Sequence, residues 1–217
     1  MATATKTTGQ YKASLELLQT ARRETISLVE GLSQEQMGFS PAAGKWSVGE
    51  ILDHLLLSEK LYRRLIAELI KLAKEGKRPY RYVGVREVNF SPFFLPKSFL
   101  PMLEIPLSMM NLFVPKAVLD FLLRYNYMPG QNPDVALPAK GRAAADLVQG
   151  LKSAIQETTA LLESNPDLDY QQMRSRHPML GTNDVPGLLR VTALHEQRHG
   201  EQISEILKNP RFPKAGC

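Results

Sequence analysis

His195-Glu196-Gln197-Arg198-His199 decides how this chain is read, because two histidines four residues apart share one face of a helix and can hold a single metal ion. Working outward, Leu188, Val191, Thr192, His195, His199, Gln202 and Ile206 follow the three-and-four spacing of a core-facing stripe. The Cβ atoms of such a histidine pair lie roughly 5 to 6 Å apart, so both rings can converge on one ion. Just upstream, Thr182-Asn183-Asp184 offers N-caps and Pro186 suits a first helical turn, which predicts a helix over about 185–208.

The same five residues spell H-E-x-x-H, the zinc-peptidase signature in which the glutamate is the general base. In those enzymes the third ligand usually lies well downstream. Only 18 residues follow His199, and their carboxylates, Glu201 and Glu205, sit at no suitable distance. Gln197 and Arg198 are polar where peptidase helices are usually apolar. The peptidase reading is rejected, and Glu196 is read as a solvated neighbour or as a group supporting a ligand from behind.

Leu18, Ala21, Thr25, Leu28 and Leu32 predict a first helix over about 10–32. Ser33 to Lys45, with Gly38, Pro41 and Gly44, reads as a connection. Ser47-Val48-Gly49-Glu50 is a capping box, so a second helix starts there and runs over about 47–75 through Ile51, Leu55, Tyr62, Ile66 and Leu69. A third, about 141–163, carries Ala144, Leu147, Leu151, Ala154, Thr158 and Leu161 and ends at Asn165-Pro166. Between Tyr80 and Pro138 an apolar stretch is broken by Pro92, Pro96, Pro101, Pro106, Pro115 and Pro129, leaving room for a helix only at Val114 to Arg124. No strand pattern is evident. The expectation is an all-α fold: one domain, 1–217, forming a four-helix bundle with a long proline-rich apolar insertion, about 80–138, between the second and third bundle helices. As a lid, pocket wall, homodimer surface or membrane-surface contact the insertion stays open, with simple packing on the bundle preferred.

At 217 residues and 43% hydrophobic the chain can bury a real core. Its single cysteine, Cys217, allows no intrachain disulfide and no CxxC site, which fits a reducing compartment. The start, MATATKTTGQ, lacks a signal-like apolar stretch, and no apolar run is long enough to span a membrane, so a cytoplasmic protein is expected. Net charge is +5. The local concentration Lys71, Lys74, Lys77, Arg78, Arg81 and Arg86, interleaved with Tyr80 and Tyr82, suits nucleic acid on paper. Cations gathered at a helix C-terminus explain it better. A small-molecule substrate is expected, with no nucleic-acid partner.

On the second helix His54 shares a side with Ile51, Leu55, Ser58 and Leu61, so it too faces inward. Alone it would read as a core histidine bonded to a backbone carbonyl. Three inward imidazoles in one layer are most economically partnered by a shared divalent metal. Neutral ligands leave the ion its full charge, and an open position then acidifies a bound water or thiol.

Lys45-Trp46-Ser47-Val48-Gly49-Glu50-Ile51-Leu52-Asp53-His54-Leu55, with His177-Pro178-Met179-Leu180-Gly181 and His195 through Ile203, resembles the DinB-like superfamily over most of the chain. The resemblance implies a four-helix bundle in which His54, His195 and His199 bind a metal, commonly nickel or zinc. It also implies a thiol-dependent transferase or isomerase, or a metal hydrolase, since some members use low-molecular-weight thiols. The leading expectation is a metal-dependent transferase that activates a low-molecular-weight thiol toward a small apolar electrophile. Hydrolysis by an acidified water, or a non-enzymatic metal-binding interaction module, are the alternatives. Glu50, His177, Glu196 and Gln202 are candidates for holding the ligands in place; Trp46 reads as a staple and His177 as a loop anchor.

Overall fold

Ser47 starts the helix that carries His54 by reciprocal capping: its Oγ accepts from the Glu50 N–H, and the Glu50 carboxylate accepts from the Ser47 N–H at 2.9 Å. In the computed structural model, which describes residues 10–84, 115, 117–118, 136–177 and 181–214, this helix is α3 (Val48–Lys74), preceded by α1 (Gln10–Val29) and a short α2 (Gln34–Gly38). It is followed by α4 (Ala144–Glu163) and by α5 (Val185–Leu207), whose N-cap Asp184 accepts from the Gly187 N–H at 2.7 Å. The described residues are mostly helical. Most of the expected helix at Val114 to Arg124, of which only residues 115 and 117–118 are described, most of the expected 80–138 insertion and Cys217 lie outside the described residues.

Two sequence readings are corrected. Ser33 to Lys45 was expected to be a connection throughout, yet Ser33 and Gln36 form a second capping box and start α2. The signal was an S-x-x-Q spacing, overshadowed by the glycines and proline that follow. The expectation of no strands also fails. β1 (Tyr80–Tyr82), β2 (Arg174–His177) and β3 (Gly181–Asp184) form a small sheet in the order β1-β2-β3, parallel between β1 and β2 and antiparallel between β2 and β3. β2 and β3 have no apolar alternation, β1 is only three residues long and meets β2 far along the chain, so little local announces them.

The basic run near the end of α3 is engaged internally. Lys71 and Lys74 occupy its last turn. Arg81 pairs with Glu68 at 3.1 Å, Lys77 with Glu75 at 2.7 Å, and Arg78 lies 5.2 Å from the Tyr80 ring centre. Arg86 lies outside the described residues. No helix among the described residues is long and apolar enough to cross a membrane.

Two apolar clusters make the core. One gathers Tyr11, Leu15, Leu18, Ile66, Leu69, Leu162, Leu188 and Ala193; the other gathers Val29, Met37, Val48, Ile51, Leu55, Leu147, Leu151 and Ile203. Each long helix passes from one cluster to the other, and between them each contributes a buried polar group to a waist. Arg22 on α1, 1% exposed, directs Nε and Nη2 to the two oxygens of Glu196 on α5 at 2.6 and 2.7 Å. Its Nη2 also reaches Glu59 on α3 at 2.6 Å, and Nη1 donates to the Leu151 carbonyl on α4 at 2.7 Å. Thr158 on α4 donates to the other Glu59 oxygen at 2.7 Å. Burial works against the Arg22 charge, but the two carboxylates hold it firmly protonated.

Removing the cation alone strands two buried carboxylates. Arg22→Met is expected to lower the unfolding free energy by about 3 to 5 kcal/mol, read as a fall in the urea midpoint. Adding Glu59→Gln and Glu196→Gln should restore much of that loss. A single variant with the wild-type midpoint would show that the waist is not needed for stability.

Candidate metal centre

His54 of α3 and His195 and His199 of α5 meet beside this waist. Their ring centroids are 5.0, 5.0 and 4.6 Å apart, and one ligand nitrogen from each falls within 4.8 Å of the others. His54 Nε2 lies 3.1 Å from His195 Nε2, which lies 3.2 Å from His199 Nε2.

Tautomers follow from the outer nitrogens. His54 Nδ1–H donates to the Ala136 carbonyl at 2.7 Å, and His199 Nδ1–H donates to Gln202 Oε1 at 2.9 Å. Their Nε2 atoms therefore carry lone pairs turned toward each other and toward His195. A single N–H from His195 could serve one neighbour, whereas one ion could serve all three. Nitrogens each about 2.05 Å from a tetrahedral ion lie about 3.3 Å apart, close to the two separations observed. The donor set and its outer hydrogen bonds fit a divalent transition-metal ion.

The cluster is held neutral. Burial first, then the charges of His199, His54 and Arg198, hold His195 well below the ordinary imidazole range. Burial and Arg198 act in the same direction on His199. For His54 burial outweighs the opposing hydrogen bond to Ala136. Neutral imidazole is the form that binds metal. Trp46 forms one wall, its ring 4.8 Å from His54 and 6.3 Å from His199. The Ala136 carbonyl is kept over His54 by a strap: Asp53, buried beside His54 in sequence, accepts from the Ala139 N–H at 2.7 Å and from the Arg142 guanidinium.

A family model described as the DinB superfamily matches residues 17–203. This chain belongs to the DinB superfamily. Among relatives within reach of comparison, the uncharacterized protein YuaE of Bacillus subtilis (strain 168) is 23% identical over 192 residues, which span 88% of this chain and 96% of YuaE. No solved structure matches the chain.

For this DinB-superfamily chain the remaining candidates separate clearly. Gln202 touches a cluster histidine; Glu50 gives its Oε2 to the Ser47 N–H and hydroxyl. Glu196 is not solvated: it is 1% exposed and both its oxygens accept from Arg22, so its carboxylate is committed to the waist. His177 lies in β2, outside the three-histidine group. Trp46 is more than a staple, since it packs on the second apolar cluster and on the imidazoles at once. Ala136, Asp53 and Arg198 were not singled out from the sequence. A backbone carbonyl leaves no sequence signature, but Asp53 and Arg198 each adjoin a cluster histidine, which was a usable signal.

Burial pushes His177 down to about 4 from an ordinary 6.5. The unfolded chain therefore takes up a proton below pH 6.5 that the folded chain refuses until about pH 4. Its contribution to stability is complete above the upper value, declines as the pH falls through the window, and levels off below it. Urea midpoints of His177→Gln should fall less steeply across that window than those of wild type; parallel curves would remove His177 as the cause.

Proposed function

We propose that this protein is a metal-dependent transferase built on a four-helix bundle, with His54, His195 and His199 as ligands to nickel or zinc. The observation carrying this reading is the convergence of three Nε2 atoms, two of which, those of His54 and His199, have their inward lone pairs fixed by partners on the far side of the ring, Ala136 and Gln202. His54, His195 and His199 would hold the ion through neutral nitrogens, and the chemistry it would supply when bound is the acidification of a thiol at neutral pH.

The chain's own residues do the rest. Gln202 and the strap through Ala136 set the ring planes; Trp46 lines the cluster with an apolar face that limits water and accepts an apolar electrophile. Transfer then needs no protein nucleophile: the sulfur of the low-molecular-weight thiol would form the new carbon–sulfur bond as the carbon–halogen bond of the electrophile breaks, the halide leaving as its anion and the thiol proton passing to solvent.

Trp46 is the sole tryptophan and lies against the cluster, so its fluorescence should be quenched as nickel binds. Wild type is expected to carry about one metal per chain by elemental analysis, and His54→Ala and His195→Ala much less while keeping their helical circular dichroism. Gln202→Ala should weaken the metal by about 10- to 100-fold. Turnover of a thiol with an aryl halide should vanish in His195→Ala. Wild type that takes up no stoichiometric metal under any loading condition would end this proposal; metal without turnover across a panel of thiols would end its transferase part.

A further inference from the structure

Asp53 and His54 are neighbours on α3, and side chains one residue apart diverge by about 100° around a helix, so the two do not face one partner directly. The chain leading into α4 joins them. Its Ala136 carbonyl accepts from His54 Nδ1–H at 2.7 Å, and three residues on the Ala139 N–H donates to Asp53 Oδ2 at 2.7 Å. The Arg142 guanidinium binds the other oxygen of Asp53, Oδ1. Gln34 of α2 fastens the far end: its Oε1 accepts from the Ala144 N–H at 2.8 Å and its Nε2 donates to the Arg142 carbonyl at 3.1 Å. It thereby serves the start of α4, where Ala143 has no side chain to cap with.

The two ends of the Asp53–Arg142 pair differ. Asp53 is 3% exposed, whereas the Arg142 side chain is 40% exposed. A buried carboxylate is costly without its partners, so Asp53 is a fixed point from which residues 136–142 hang, with the arginine closing the contact from the solvent side. At His54 the strap meets a nitrogen whose donor strength depends on what the ring holds at its other nitrogen. A fixed acceptor at Nδ1 makes Nε2 a better ligand. By reciprocity, a cation on Nε2 strengthens the bond from Nδ1–H to Ala136 by the same free energy.

We propose that Asp53 is a positioning residue for the metal centre: through the 136–142 strap it holds the Ala136 carbonyl on His54, so that metal binding and fastening of the strap are coupled. The proposal rests on the metal reading above. Were Asp53 instead to act on His54 through space, by its charge, one variant would respond with the opposite sign. Arg142→Met loosens the strap but leaves the carboxylate less compensated. Action through the strap then weakens the metal, whereas action by charge tightens it.

The test reads nickel affinity from the quenching of Trp46 and follows hydrogen exchange by mass spectrometry in the peptide covering residues 136–142. Asp53→Ala is expected to bind nickel about 10-fold more weakly, the lower end of what groups supporting a ligand contribute. Arg142→Met should weaken it too, and Arg142→Lys, which restores the charge, should recover part of the loss. Nickel should slow exchange in 136–142 of wild type, and slow it less in Asp53→Ala. Arg142 lies towards solvent, so Arg142→Met carries the test if Asp53→Ala does not fold. A merely structural Asp53 would lower the urea midpoint and leave nickel affinity unchanged. That result, tighter nickel in Arg142→Met, or exchange in 136–142 indifferent to nickel would each overturn the coupling while leaving the metal reading standing. Failure of wild type to take up nickel would remove both.

Discussion

The forked contact of Arg22 with Glu59 and Glu196 is the constraint on which the rest depends, because it is where α1, α3, α4 and α5 meet through directional bonds. Apolar packing tolerates a helix turned by some tens of degrees, whereas a guanidinium bonded to two carboxylates and a carbonyl does not. Glu196 follows His195 directly, so holding its carboxylate on Arg22 fixes the rotation of α5 about its axis. Glu59 lies five residues after His54 and does the same for α3. With both rotations set, His54 and the His195/His199 pair have little choice but to face each other.

The divided core shows what this arrangement costs and supplies. A continuous apolar column would be simpler to pack, and buried ion pairs are poor sources of net stability. Here the polar layer lies between two apolar clusters that exclude water from it, so partners must be matched within the protein. The histidine cluster adjoins that layer and is shielded by the same packing. Specific helix orientation, bought with buried charge, is what a site assembled from separate helices requires.

Much of this was legible in the sequence, for local reasons. Apolar spacing marked the long helices, and the Ser47/Glu50 box located the start of α3 within a residue. The three histidines could be grouped because helical phase alone turns them inward. Arg22 escaped notice because it sits beside Arg23 and looks the same; only its phase with Leu18, Thr25 and Val29 separates a buried arginine from an exposed one. The sheet escaped because pairing of β1 with β2 is a long-range event between polar strands. Ala136 escaped because what it contributes to His54 is a carbonyl that every residue possesses.

Asp53-His54 and His195-Glu196 share one further logic. In each pair a carboxylate stands next to a cluster histidine in the chain, and in each the carboxylate is turned away and matched by an arginine, Arg142 or Arg22. Had either acid turned inward it could have joined the nitrogens as a charged ligand, lowering the net charge of a bound ion and with it the acidity of whatever that ion holds. With both acids committed elsewhere, the described ligand set is three imidazole nitrogens, and burial first, then neighbouring charges, keeps His195 well below the ordinary imidazole range.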